Sequence, residues 1–302
     1  MVLHPQAKAA LAEWIDGPKV TDPGYDIEDQ RRLAREEAAR EPREEVASVL
    51  DVDADGVPCR LYLPAGSTES LGWSGGAIVF AHGGGFVFGD LETHDARSRR
   101  LANRTGLAVL AVDYRKPPEH RFPAAPDDVD TAVAWLVARA ATLGVDLSRL
   151  VALGDSAGGN LALVAALRNP NLFAATVLVY PFIDPKGRFE SYHREAAGFG
   201  AAEADWYWQQ YAGRPEDLDN PDLAPIDSDA LHTLPPSLVV AAEHDPLVDE
   251  DVELARRMEV AGVDVTLSTY PGMVHGFWGN PLQFDAAEES LAEIVEFLRA
   301  TL

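Results

Sequence analysis

Gly154-Asp155-Ser156-Ala157-Gly158-Gly159 places a serine between glycines. The apolar run 150–153 before it reads as a buried strand, and 158–167 after it reads as a helix. In that context G-x-S-x-G is a sharp elbow, because the glycines let the backbone turn until the serine side chain projects alone above a sheet. The following helix points its N-terminus at the same place and favours developing negative charge. The chemistry this suggests is attack of the Ser156 hydroxyl on a carbonyl, with a covalent acyl intermediate.

Such a serine needs a base, an acid to orient the base, and donors for the oxyanion. When the nucleophile stands on an elbow of this kind, the chain order is Ser, acid, His. His4, His82, His94 and His120 come too early for the base. His193 and His232 fall in an irregular stretch, and His244 adjoins the best acid. That leaves His275, in a loop after a strand expected at 264–270. The acid should stand at a strand exit. Asp245 does so after the run 237–241, with Pro246 fixing the turn. Glu243 and Asp249 are its rivals, Asp249 being the better placed to cap the next helix. Upstream, His82-Gly83-Gly84-Gly85-Phe86 follows the short apolar run 77–81. Consecutive glycines expose backbone N–H groups that, with the N–H of Ala157, suit an oxyanion. His82, beside the glycines, is expected to orient that loop. A nucleotide loop would carry G-x-G-x-x-G or a basic residue, and neither is here.

The elements that must position these groups can be read around them. Helices are expected at 5–15 and, as an exposed, charge-laced one, at 30–43. Strands are expected at 46–52 and 58–63, joined by a turn at 53–56, then at 77–81 and 107–112. From there helices at 125–141, 158–167, 250–261 and 286–302 alternate with strands at 150–153, 175–180, 237–241 and 264–270. That alternation is the signature of an α/β fold with a mostly parallel sheet flanked by helices, here with an antiparallel start. Residues 181–234 break the pattern with an aromatic-rich stretch and no clear strand. So long an insertion reads as a helical cap, together with residues 1–45. The catalytic core is then 46–180 and 235–302, with the site at the sheet's C-terminal edge. Phe86 and the cap aromatics Phe199, Trp206, Tyr207 and Trp208 are the expected substrate pocket.

Composition narrows the partners. The chain has 302 residues, 49 acidic and 25 basic, with net charge −24. A field of that sign repels nucleic acid and anionic membranes. No apolar run approaches a bilayer's thickness, and the first residues carry no secretory signal, so a cytoplasmic location is expected. Cys59 is the single cysteine and is expected to be inert. Neither metal nor organic cofactor is needed for the chemistry above.

Jointly, His82-Gly-Gly-Gly-Phe86, Val112-Asp113-Tyr114-Arg115, residues 118–125, Gly154-Asp-Ser-Ala-Gly-Gly159, Asp245-Pro-Leu247 and His275-Gly-Phe277 are specific. Over about residues 45–300 the chain resembles the hormone-sensitive-lipase-like esterases, bacterial family IV. The resemblance implies a capped α/β-hydrolase acting on short- to medium-chain acyl esters. It implies a triad of Ser156, Asp245 and His275, amide donors at Gly84, Gly85 and Ala157, and Gly83 shaping the loop. It also suggests a homodimer through the last strand and neighbouring helix. Two departures are small: Lys116-Pro117 stands where Leu-Ala is common, and His244 is more polar than the residue usual there. Amidase, lactonase or carbamate hydrolase activity would use the same machinery. A receptor of the same family keeps the fold without the catalytic His, so the class-level alternative is a non-catalytic ligand-binding module.

Overall fold

The structure is a computed structural model that describes residues 2–15, 17–67, 75–194 and 198–302. Of the stretch expected to form the cap, residues 1, 16 and 195–197 lie outside the described residues.

A single eight-stranded sheet runs through the described residues in the order β1-β2-β4-β3-β5-β6-β7-β8. The strands are β1 Ser48–Ala54, β2 Val57–Leu63, β3 Gly75–Ala81, β4 Ala108–Val112, β5 Val145–Asp155, β6 Ala175–Val179, β7 Ser237–His244 and β8 Val265–Val274. β1 and β2 form an antiparallel hairpin, and β2 joins β4 antiparallel. From β4 onward every pairing is parallel. The central strands β3, β4 and β6 are buried at every position, as expected where helices cover both faces.

Two hydrophobic layers result. One face carries α4 (Ala124–Leu143), α5 (Ala157–Arg168) and α8 (Val248–Val260), whose buried Val133, Leu136, Leu161 and Leu254 meet the sheet residues Val79, Leu110 and Val239. The other carries α3 (Asp95–Thr105) and α9 (Asp285–Thr301), with Leu101, Leu291 and Leu298 against Phe80, Val151 and Val240. α1 (Pro5–Trp14) adds Ala7 and Ala10 to that second layer. α2 (Ile27–Ala38), α6 (Ser191–Arg194) and α7 (Ala201–Tyr211) complete the helices near the site. No helix among the described residues is long and apolar enough to cross a membrane.

The fold departs from the sequence reading in three places. The helix expected at 30–43 is Ile27–Ala38. Asp26 caps it earlier by accepting from the Asp29 amide, and the chain turns out of it ahead of Glu41, which precedes Pro42 and is biased away from helix. It is not exposed throughout either. Arg31 reaches inward, donating to the carbonyls of Val87 (3.0 Å) and Pro117 (2.7 Å) and pairing with Glu119. Second, α3 was not foreseen. Its sequence is mostly polar, and its buried face is made of Asp95, Ser98 and Arg100 beside Leu101 and Ala102. Burial there is sustained by ion pairs and hydrogen bonds rather than an apolar stripe: Asp95 takes Arg99, Arg60 and the Tyr62 hydroxyl. Third, Asp249 does not cap α8. The cap position is Leu247, and Asp249 lies inside the first turn, where it accepts from the Ser191 amide at 2.9 Å and pairs with Arg194.

Candidate active site

β5 delivers Ser156. It ends at Asp155, α5 begins at Ala157, and Ser156 between them has φ 54° and ψ −122°. A non-glycine residue there is strained and persists only when its surroundings over-determine it. Gly158 supplies part of that surrounding: a Cβ on it would sit 2.0 Å from the Ala81 carbonyl oxygen, so only glycine lets α5 start this close to β3. Gly154 makes a second close approach, since a Cβ on it would sit 2.0 Å from the Gly158 carbonyl oxygen, and Ser156 stands at the C-terminal edge of the sheet.

β7 and β8 bring the other two groups to the same edge. Asp245 follows β7 and is fully buried. Its Oδ1 accepts from the Leu247 amide at 2.9 Å, and its Oδ2 accepts from His275 Nδ1 at 2.7 Å. A proton on Nδ1 leaves Nε2 as the acceptor, and Nε2 lies 3.0 Å from Ser156 Oγ. His275 sits just beyond β8, stacked on Phe199 (ring centroids 5.1 Å, 30°) and in tilted contact with Tyr180 (4.7 Å, 54°). The chain acid–imidazole–hydroxyl is therefore continuous, and it can draw the proton off Ser156 and stabilise the imidazolium that forms.

The glycine loop stands opposite. Gly83 donates its amide to Asp155 Oδ1 at 3.1 Å, and Arg97 donates to Asp155 Oδ2 at 2.7 Å. Asp155, directly before Ser156, thereby ties the glycine loop and Arg97 to the elbow. The Gly84 carbonyl accepts from the amides of Val87 and Phe88, and Tyr114 donates to the His82 carbonyl at 2.8 Å. His82 is buried and lies parallel to Tyr114 and His94. Burial pushes its pKa down to about 4, so it stays neutral and its Nδ1 donates to the Gly83 carbonyl at 2.8 Å. It cannot reach a substrate from there. Among the described residues the amides of Gly84, Gly85 and Ala157 have no protein acceptor. Three free donors beside a hydroxyl nucleophile are what a tetrahedral oxyanion requires.

A cavity of about 320 Å³ joins these groups. Phe88, Tyr180, Phe182, Phe199 and Tyr207 line it with aromatic rings, and Thr93, His94, Arg97 and Asp155 add polar lining. Of the expected pocket residues, Phe199 and Tyr207 line it, and Tyr207 lies flat enough on Gly85 that a Cβ there would meet its ring at 2.2 Å. Phe86, Trp206 and Trp208 do not line it. The Phe86 ring is fully buried against Tyr211 (3.7 Å, 3°). Trp208 is buried on Phe182 at 4.2 Å, and Trp206 packs edge-on to Tyr25. The reason is helical: successive residues of α7 point about 100° apart, so only one of 206–208 can face the serine. Among the described residues no cluster of three or more His, Cys, Asp or Glu side chains could hold a metal ion. Cys59 is buried, and burial holds its thiol well above the usual range, up to about 12.

Residues 78–279 match the family model described as alpha/beta hydrolase fold. The chain belongs to that family. A solved hyperthermophilic esterase from the archaeon Pyrobaculum calidifontis superposes with a TM-score of 0.90 at 33% identity, over 99% of both chains. An esterase from the bacterial hormone-sensitive lipase family gives 0.87 at 28% identity over 100% of this chain and 99% of that one. The ethyl acetate hydrolase of Pseudomonas putida is 38% identical over 262 residues, 84% of this chain and 82% of its own. Within the α/β hydrolases the chain thus falls among the hormone-sensitive-lipase-like (family IV) esterases, enzymes of the serine hydrolase type.

Proposed function

We propose that the protein is a serine carboxylesterase that hydrolyses short- to medium-chain acyl esters through an acyl-enzyme on Ser156. The observation that carries this is the continuous contact Asp245–His275–Ser156, at 2.7 and 3.0 Å, beside three amides with no protein acceptor. His275 takes the Ser156 proton as the hydroxyl attacks. The amides of Gly84, Gly85 and Ala157 hold the oxyanion, each worth about 3 kcal/mol in the transition state. His275 then gives the proton to the departing alcohol, and water repeats the sequence on the acyl-enzyme.

The small cavity and its aromatic lining favour modest acyl groups, and the Pseudomonas putida relative, an ethyl acetate hydrolase, points the same way. Residues 1–45 and 181–234 act as the cap in this reading. They supply Ala34, Phe199 and Tyr207 to the cavity, and so shield the acyl-enzyme from bulk water. Lactones, amides and carbamates are the neighbouring substrates that the same machinery would serve. The homodimer belongs to the same reading, since β8 is an outer strand of the sheet; light scattering tests it.

Ser156→Ala should abolish hydrolysis of p-nitrophenyl butyrate while the circular dichroism spectrum stays unchanged. Retained turnover would overturn the mechanism.

A further inference from the structure

Arg97 belongs to the polar lining of the cavity that holds Ser156 and His275. It also lines a second space of about 290 Å³, a cleft between residues 41–44, α3 and residues 279–282. Among the described residues, Arg97 is the one residue that lines both spaces. Its guanidinium is fixed on three sides. Nη1 donates to Asp155 Oδ2 at 2.7 Å. The group lies 5.2 Å from the Trp278 ring centroid. The Gly279 backbone comes so close that a Cβ there would fall 1.8 Å from Nη2. Only 18% of the side chain is exposed. A planar cation pinned in this way is a wall, not a flexible surface arginine.

We propose that Arg97 is a specificity-determining partition: it ends the substrate cavity, and without it the cavity would run on into the cleft. This rests on the esterase reading above and names what limits substrate size on the side away from the cap aromatics. Arg97 also holds Asp155, which holds Gly83, so its loss has a second consequence for the oxyanion loop. The two effects separate by their readout. Loss of the wall changes which esters are preferred, whereas loss of the Asp155 contact slows all esters alike.

The test compares kcat/KM over two series, p-nitrophenyl esters of lengthening acids and acetate esters of increasingly bulky alcohols. In at least one series Arg97→Ala should raise the ratio of bulky to small substrate tenfold or more. Arg97→Met keeps a side chain of similar reach without the charge. It should lower kcat for every substrate and leave the ratio within twofold of the unsubstituted protein. Arg97→Cys supplies an independent arm if the alanine variant does not fold. It should show the widened preference, and a mixed disulfide formed with 2-aminoethyl methanethiosulfonate, which leaves as methanesulfinate, should restore the original one, Cys59 being buried from the reagent. Ratios within twofold of the starting values in both Arg97→Ala and Arg97→Cys would overturn the proposal, as would an equal shift in Arg97→Met. Failure of the unsubstituted protein to turn over either series would instead strike at the esterase reading.

Discussion

Replacing Glu250 with alanine should loosen the segment that carries one wall of the active site. Glu250 is fully buried in the first turn of α8. Its Oε1 accepts from the Ile183 amide and its Oε2 from the Tyr192 hydroxyl, both at 2.8 Å. Ile183 directly follows Phe182, which lines the cavity. Alanine strands both buried donors, at about 1–3 kcal/mol each, so about 2–6 kcal/mol together. At roughly 2–4 °C per kcal/mol for a domain of this order, the melting temperature should drop by about 4–24 °C. Tyr192→Phe removes one hydrogen bond only and should cost about 1 kcal/mol.

Glu250 also predicts a pH dependence. Burial pushes its carboxyl well above the usual 4.5, outweighing the Ile183 and Tyr192 hydrogen bonds that pull it down. The folded state therefore binds the proton more tightly than the unfolded one. That stabilisation is complete below 4.5 and is lost as pH rises toward the folded value. Relative to Glu250→Gln, which cannot titrate, the unsubstituted protein should lose stability steadily from about pH 5 upward. Differential scanning calorimetry across pH reads both effects. A drop under 2 °C for the alanine variant, or a gap to the glutamine variant that is flat with pH, would refute the reasoning.

Three further outcomes follow from the same geometry. Asp245→Asn should lower kcat about 10⁴-fold with little change in melting temperature, because the amide favours the wrong His275 tautomer; steady-state kinetics checks it. Phe199→Ala and Tyr207→Ala should each move the acyl-length optimum upward, whereas Trp206→Ala, whose ring faces Tyr25, should leave it in place; a p-nitrophenyl ester series reads this. Gly158→Ala should yield little folded protein, since its Cβ would lie 2.0 Å from the Ala81 oxygen and neither backbone can give way; soluble expression and circular dichroism decide it.

The three side chains that meet at the sheet edge, Ser156, His275 and Asp245, were the most legible. Ser156 announces itself because an elbow needs glycines at fixed offsets, and His275 and Asp245 because they stand just past strands of clear apolar pattern. The parallel sheet was legible for the same reason, since buried strands such as Ala108–Val112 are unbroken apolar runs. α3 was not legible. Its buried face is satisfied by the ion pairs of Asp95, which a hydrophobic period does not register. Nor was the pocket wall. Trp206, Tyr207 and Trp208 are equivalent by composition, and only the orientation of α7 selects Tyr207. Phe182 and Phe88 reach the cavity from loops, where no periodicity says which way a side chain points. Arg97 lay hidden in the unforeseen helix.

The central claim, that Ser156 is the covalent nucleophile, is tested most directly by the reaction of the protein with diethyl p-nitrophenyl phosphate. Peptide mass spectrometry should find one diethylphosphoryl group per chain, on Ser156, formed in step with the loss of esterase activity, and none in Ser156→Ala. Inactivation with Ser156 unmodified, or an adduct of equal yield on another residue, would contradict it.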